Sequence, residues 1–326
     1  MKIRSFTIAA LLALGNASGC GEARSGDDDG GPGGNGSGTD TDHPSGDGCT
    51  SLDILFVLDN SPSMVEEQEN LAANFAKFVD VIDAFKTQDG SGVAYRVGVT
   101  IVDVTRNFKQ KIPGFGAMPM STTGPDGALQ GRQKCNLGEH PWIDGPAADA
   151  ATKFSCLSDV GIEGSGSEMP LAALEGALGK QSEPGGRNEG FYDKGGSALL
   201  VAIFITDEDD CSIENGGIMA ISMAGSSDCN EATSTGLYDV GAIKTWLDGV
   251  TGGAGRSVVV GIAGDTQGGC TSDFGEANYA KRLKKFVDLF ADHGFFGDIC
   301  AGDLWVPLEA ALGVIESGCG SLPPVE

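Results

Sequence analysis

The sequence has few of the residues that most metal sites and nucleophilic enzymes use. It holds three histidines among 326 residues, and no two of its nine cysteines stand in a C-x-x-C spacing. Zinc ribbons and thioredoxin-like redox motifs are therefore disfavoured. Basic residues are also scarce, with 21 Lys and Arg against 46 Asp and Glu, a net charge of −25. A chain this acidic repels a phosphate backbone, so nucleic acid is not an expected partner.

The apolar run near the N-terminus, residues 6–14, is far shorter than the ~20 residues that cross a bilayer. A basic start precedes it and small residues follow it, which is the pattern of a secretory signal over residues 1–19. Ala17-Ser18-Gly19-Cys20 resembles the lipobox of bacterial lipoproteins, with Ala17 where Leu is usual. The resemblance implies cleavage before Cys20, acylation of its thiol and a membrane anchor; the alternative is an ordinary cleaved signal. Gly21, where Asp marks retention in the inner membrane, favours the outer membrane of the cell envelope.

Residues 20–48 are predicted to form a disordered tether between the lipidated cysteine and the folded domain, 49–326. Ten of the 28 residues after Cys20 are Gly and seven are Asp or Glu. Such a segment buries too little apolar area to offset the entropy of ordering its backbone.

The cysteines after Cys20 number eight, and an exported protein meets an oxidising compartment, so four disulfides are expected. Eight cysteines can pair in many ways. Proximity along the chain favours these pairs: Cys135–Cys156, Cys211–Cys229, Cys270–Cys300 and, for the two that remain, Cys49–Cys319.

Residues 49–326 are predicted to form one α/β domain with a doubly wound, mostly parallel sheet. Near-continuous apolar runs indicate strands covered on both faces, over residues 52–58, 95–102, 198–205 and 257–263. Apolar residues at helical spacing separate or follow them, over residues 71–85, 168–178, 237–248, 278–290 and 304–316. Alternating strands and helices predict right-handed crossovers. The stretch from about 107 to 163 fits neither pattern and is expected to be a long functional insertion with its own disulfide.

Polar residues follow two of these strands and also occupy one loop that precedes a helix. Asp59, Ser61 and Ser63 come after the first strand, Asp207 to Asp210 follow the third, and Gly164 to Glu168 precede a helix. The carboxyl ends of parallel strands meet at one edge of a sheet, where ligands bind. Carboxylates and hydroxyls without His or thiolate suit a hard divalent cation, Mg²⁺ first, with Mn²⁺ or Ca²⁺ as alternatives.

The pattern Asp59-x-Ser61-x-Ser63 after a buried strand resembles the metal-ion-dependent adhesion site of von Willebrand factor A domains. Ser165 stands where that family has a Thr, with Leu171 six residues on, and Ile205-Thr206-Asp207 matches the family's last acidic motif, with Glu208 in place of Gly. The resemblance implies a Rossmann-like fold, metal contacts from Asp59, Ser61, Ser63, Ser165 and Asp207, and a protein partner whose Asp or Glu completes the shell.

Two other functions are weighed against a membrane-anchored, cation-dependent binding or adhesion module. One is a metal-assisted hydrolase that uses the acidic cluster after residue 206, and the other is a structural domain with a vestigial site. No Gly-x-Ser-x-Gly elbow or phosphate loop occurs, and His43, His140 and His293 lie in predicted surface segments. The sequence therefore favours a binding module without catalysis, and it does not identify the partner.

Overall fold

A computed structural model describes the protein over residues 48–86, 90–112, 114–131, 133–193, 196–220, 229, 231–273 and 275–323. The predicted signal peptide, the predicted lipidation site at Cys20 and all but the last residue of the predicted tether lie outside these residues. No helix in the described part of the chain is long and apolar enough to span a membrane.

Twelve strands and six α-helices alternate along the described chain. In order they are β1 (Ser51–Leu58), α1 (Val65–Ala84), β2 (Ala94–Ile101), β3 (Arg106–Ile112), β4 (Gly116–Thr122), β5 (Ile143–Gly145), α2 (Ala150–Ser158), α3 (Pro170–Leu178), β6 (Ala198–Ile205), β7 (Ile213–Ala220), β8 (Thr235–Leu237), α4 (Val240–Thr251), β9 (Ser257–Ala263), β10 (Cys270–Ser272), β11 (Gly275–Ala277), α5 (Lys281–Asp288), β12 (Gly294–Asp298) and α6 (Trp305–Gly320).

The main sheet has six strands in the order β12-β9-β6-β1-β2-β5. Five of them run parallel, and β5 pairs antiparallel with β2 at one edge. Since β1 and β6 are paired so that Leu58 lies opposite Ile205, their carboxyl ends stop at the same level. The predicted α/β class with a mostly parallel sheet is confirmed.

Alternate residues of the strands pack into two separate apolar layers, as expected for a sheet covered on both sides. In β1, Leu52, Ile54 and Phe56 pack in one layer with apolar residues of α1, α2 and α6. Leu55 and Val57 point the other way, into a layer formed with α3, α4 and α5. The helices therefore cover both faces and leave the edge formed by the strand ends for other groups.

The segment 107–163, predicted to be a long insertion outside the α/β pattern, contains regular structure. It forms the β3–β4 hairpin, edge strand β5 and helix α2, and β3 also pairs with β7 in a second sheet of order β4-β3-β7-β8. Weakly apolar strands such as β4, which is exposed along most of its length, carry no buried-strand pattern. The apolar pattern therefore does not predict this second sheet, and the short strand β12 lies outside the predicted strands as well.

Four disulfides link the described cysteines: Cys49–Cys319, Cys135–Cys156, Cys211–Cys229 and Cys270–Cys300. These are the pairs that proximity along the chain favours. Three bridges close short loops, whereas Cys49–Cys319 joins residues 270 apart, at the entry to β1 and the end of α6. This number of disulfides fits an exported protein.

Candidate metal site

The carboxyl ends of β1 and β6 place two aspartates side by side. Asp59 follows β1 directly, and its backbone N–H donates to the carbonyl of Ile205 at 3.0 Å, which continues the pairing of the two strands. Asp207 stands two residues beyond Ile205. Both side chains are buried, with 0% exposure for Asp59 and 3% for Asp207. The parallel sheet thus brings together two residues that are 148 positions apart in the sequence.

Two donors hold the Asp59 carboxylate. The Ser61 backbone N–H donates to Oδ1 at 2.7 Å, and the Thr206 hydroxyl donates to Oδ2 at 2.7 Å. Burial and the neighbouring charge of Asp207 raise the pKa of Asp59 in spite of these hydrogen bonds. The surroundings of Asp59 therefore disfavour the charged form of this carboxylate unless a cation lies beside it.

Ser61 and Ser63 lie together in the turn after β1. Their hydroxyl oxygens are 3.0 Å apart. Ser63 belongs to a short 3₁₀ turn, Pro62–Met64, and α1 begins at Val65 without a side-chain cap. In the sequence, Ser63-x-x-Glu66 is typical of a capping box at a helix start, but the structure shows that this prediction is wrong. The Ser63 hydroxyl bonds Ser61 and lies beside Asp207, so it faces the acidic edge and does not cap α1.

Ser165 reaches this edge through a residue that the sequence reasoning missed. Asp103, shortly after β2, accepts from the Ser165 backbone N–H at 2.9 Å and from the Asn60 amide at 2.9 Å. The Gly164 backbone N–H also donates to the carbonyl of Asn60 at 2.8 Å. The loop before α3 is thereby held against the turn after β1. An acidic residue just past a strand end was the available signal for Asp103.

Asp207 has unused bonding capacity. Its Oδ1 atom is buried and accepts no hydrogen bond from the described residues. Burial raises the pKa of Asp207, and the charge of Glu208 adds to the effect, while a hydrogen bond from the Ser63 hydroxyl lowers it. A buried acceptor without a donor is costly, so this oxygen marks a position that a cation or water would stabilise.

Two further glutamates lie in the same region, and sequence reasoning did not assign either as a ligand. Glu67 on α1 is 2% exposed and its Oε2 atom has no partner among the described residues. Burial raises the pKa of Glu67 to about 7, and Asp207 and Asp59 contribute. Gly275 of β11 packs on this carboxylate, because a Cβ at that position would lie 1.7 Å from Oε1. Glu168, before α3, is 0% exposed.

The donor set at this edge fits a hard divalent cation. It consists of carboxylates and hydroxyls, and buried oxygens without donors remain on Asp207 and Glu168. A different cluster among the described residues, Cys270, Asp298 and Cys300, brings three ligand atoms within 4.8 Å of one another. Since both of its sulfurs form a disulfide, it offers no thiolate.

An open cleft of about 370 Å³ leads to the site. Ser63, Asp207 and Glu208 form one wall, and the β10–β11 hairpin with the segments beside it forms the other. The Asn278 backbone N–H donates to the carbonyl of Asp207 at 2.7 Å, which holds this wall in place. Solvent, an ion or an external side chain can therefore reach Asp207 through the cleft.

The buried carboxyls predict how stability depends on pH. Burial raises the pKa of Asp53 in β1 to about 6, although Arg96 lies 3.6 Å away, and that of Glu67 to about 7. A carboxyl whose pKa is raised by folding stabilises the folded state while protonated. This contribution is fully present below pH ~4 and is lost as the pH rises through 6 and 7. We therefore expect the protein in EDTA to unfold at a higher temperature at pH 5 than at pH 8, measured by calorimetry.

The substitution Asp53→Asn provides the control for this pH dependence. It removes one of the titrating groups without touching the carboxyl edge, so the difference between the two pH values should become smaller. If the unfolding temperature of the unsubstituted protein were higher at pH 8 than at pH 5, the expectation would be contradicted.

Comparisons with known proteins identify no family for this chain. No protein-family model matches the sequence, and no curated protein matches it. Among solved structures, proximal thread matrix protein 1 from the mussel byssus is 12% identical with a TM-score of 0.40, over 82% of this chain and 49% of that one. The pilus adhesin SpaC from Lactobacillus rhamnosus GG is 13% identical with a TM-score of 0.36, over 83% of this chain and 30% of the adhesin.

The pilus adhesin RrgA from Streptococcus pneumoniae is 14% identical with a TM-score of 0.27, over 52% of this chain and 21% of the adhesin. The chain thus spans about half the length of the first of these proteins and less of the other two. At these TM-scores and identities the similarities carry no conclusion about function.

Proposed function

We propose that this protein is an exported, lipid-anchored binding module that captures a protein partner through a divalent cation at the carboxyl edge of its parallel sheet. Asp59, Ser61, Ser63, Ser165 and Asp207 would hold the ion, directly or through water. The lipid on Cys20 would anchor the chain, in the outer membrane rather than the inner one. No reaction is assigned to the site.

The observation that carries this proposal is the pair of buried carboxylates at adjacent strand ends. Asp59 is fully buried beside Asp207, and one oxygen of Asp207 has no described donor. Burying two like charges without a counter-ion is unfavourable, because each loses its hydration and repels the other. A divalent cation between them removes both costs. The resemblance of this sequence pattern to von Willebrand factor A domains supports the same proposal independently.

The chemistry of the partner follows from that of the ion. Mg²⁺ bound by one or two carboxylates keeps several exchangeable positions, which water or an incoming oxygen can occupy. The cleft beside Asp207 gives access to such a position. A carboxylate is the oxygen ligand with the strongest attraction for the ion, so the partner would present an Asp or Glu side chain. Specificity would come from the residues around the cleft.

An affinity pull-down from cell-envelope extract tests the proposal. The immobilised protein should retain its partner in millimolar Mg²⁺ and release it in EDTA, and Asp59→Ala should retain none. Asp80→Ala, which removes an exposed charge of α1, is the matched control and should behave as the unsubstituted protein. Retention that EDTA and Asp59→Ala both leave unchanged would contradict the role of the ion.

The same preparations separate binding from catalysis. Turnover of phosphoesters or peptides that depends on the cation and disappears in Asp59→Ala would favour a metal-assisted hydrolase instead. The proposed anchor has its own test, since mass spectrometry of the mature protein should find lipid on Cys20, and a free Cys20 thiol would refute it.

A further inference from the structure

Glu168 is a buried acid for which the proposed function has no role. It precedes α3, its side chain is 0% exposed, and neither carboxylate oxygen accepts a hydrogen bond from the described residues. Its own backbone is well placed, because its carbonyl accepts from the Cys211 N–H at 2.7 Å. The loop is therefore held firmly while the carboxylate at its end is left without a donor. A buried carboxylate without a donor is costly unless a cation, a proton or water binds it.

Glu208 is a neighbouring acid of Glu168. Their carboxyl groups are neighbours that would hydrogen-bond if a proton lay between them, and the charge of Asp59 acts on both. Glu208 is only half-buried and lines the cleft, so the pair is connected to solvent on that side. Asp59 thus lies beside Asp207, while Glu168 lies beside Glu208 and within reach of the charge of Asp59. No three of these carboxylates in the described structure bring ligand oxygens within 4.8 Å of one another.

We propose that Glu168 and Glu208 bind a second cation, Ca²⁺, beside the ion held by Asp59. This inference rests on the proposed function, because it adds a neighbour to that ion. Ca²⁺ takes six to eight oxygen ligands in flexible geometry and accepts carboxylates in bidentate fashion. Two facing glutamates can supply about half of such a shell, and water entering from the cleft can supply the rest.

A second ion also accounts for the substitution of Gly by Glu at position 208 relative to the adhesion-site pattern. One divalent cation balances only two of the carboxylates in this region, and a second ion balances two more. The alternative is that Glu168 and Glu208 share a proton, which would reduce the charge of the pair without an ion. A second cation and a shared proton predict different numbers of bound cations. Only with a second cation should Glu168→Gln reduce that number.

Counting bound Ca²⁺ tests the proposal. The protein, freed of metal with EDTA, is dialysed to equilibrium against CaCl₂, and Ca²⁺ per chain is measured on the protein side. We expect two ions for the unsubstituted protein and one for Glu168→Gln. Glu163→Gln, which neutralises an exposed acid of the same loop, is the matched control and should bind two.

One bound ion in the unsubstituted protein, or two retained by Glu168→Gln, would overturn the second site. Circular dichroism must show that Glu168→Gln is folded. If it is not, Glu168→Asp, which withdraws the carboxylate by one methylene, should weaken the second binding step at least about tenfold, and an unchanged step would overturn the proposal. The proposed function has a separate test, since it would be contradicted if Asp59→Ala retained the partner in the pull-down. The two failures can therefore be distinguished.

Discussion

Asp59→Asn should abolish the stabilisation of the protein by Mg²⁺ and, at the same time, stabilise the cation-free protein above pH 7. The first effect follows if Asp59 is the central ligand. A cation present at 100 times its dissociation constant raises the free energy of unfolding by about 2.7 kcal/mol, and this increment should disappear. It is a large fraction of the stability of an ordinary domain.

The second effect has the opposite sign and arises from the same residue. Burial and Asp207 raise the pKa of Asp59, so keeping this carboxylate charged costs stability when no ion is bound. The amide of Asn has nearly the same shape and carries no charge. In the unsubstituted protein the Thr206 hydroxyl donates to Asp59. In the Asn variant it can rotate, accept from the amide of residue 59 and donate to the carbonyl of Glu208.

Chemical denaturation at pH 8 measures both effects, with EDTA in one series and saturating Mg²⁺ in the other. Asp80→Asn changes the net charge equally at an exposed position of α1 and should keep the full response to the cation. An Asp59→Asn protein that still gains stability from the cation would place the ion elsewhere.

Removing the disulfide Cys49–Cys319 should cost about 5 kcal/mol of unfolding free energy. The bridge joins residues 270 apart, so in the unfolded chain it restrains nearly the whole domain. It also fixes the entry to β1 next to the end of α6, where the Cys49 N–H donates to the carbonyl of Cys319 at 2.7 Å. The double substitution Cys49→Ala and Cys319→Ala is preferable to a single one, because it leaves no free thiol.

The matched comparison is the double substitution Cys270→Ala and Cys300→Ala. That bridge closes a loop of 30 residues, for which the same chain-entropy relation gives roughly 3.5 kcal/mol. Guanidinium denaturation of both variants should therefore rank Cys49–Cys319 as the more stabilising bridge. A smaller loss for Cys49–Cys319 than for Cys270–Cys300 would show that loop entropy does not dominate in this domain.

The parts of the site that follow from strand order could be predicted from the sequence. Asp59 comes directly after one apolar run and Asp207 two residues after another, and neighbouring parallel strands bring their carboxyl ends together whatever the length of chain between them. Ser61 and Ser63 follow because they lie in the same turn as Asp59. The assignment of these residues to a metal ion stays a prediction, as does the resemblance to von Willebrand factor A domains.

The residues that the sequence reasoning missed reach the site in another way. Glu67 comes from the buried side of α1, and in the sequence it is one of three acids among residues 66–69 with nothing to distinguish it. Asp103 acts by holding Asn60 and the Ser165 backbone, a role that depends on the packing of two loops. The capping box at Ser63 failed for the same reason, because a hydroxyl that can cap a helix can also face a neighbouring acid.

By itself the sequence determined the α/β class, the strands of the central sheet that carry the candidate site, and the pairing of cysteines that lie near one another in the chain. Each of these depends on local pattern or on short separation. Only the tertiary structure decided the second sheet, the burial of Glu67 and Glu168, and which acids lie beside one another. Burial is set by what packs over a side chain from distant segments, and the electrostatic cost of a carboxylate depends on that burial more than on its neighbours in sequence.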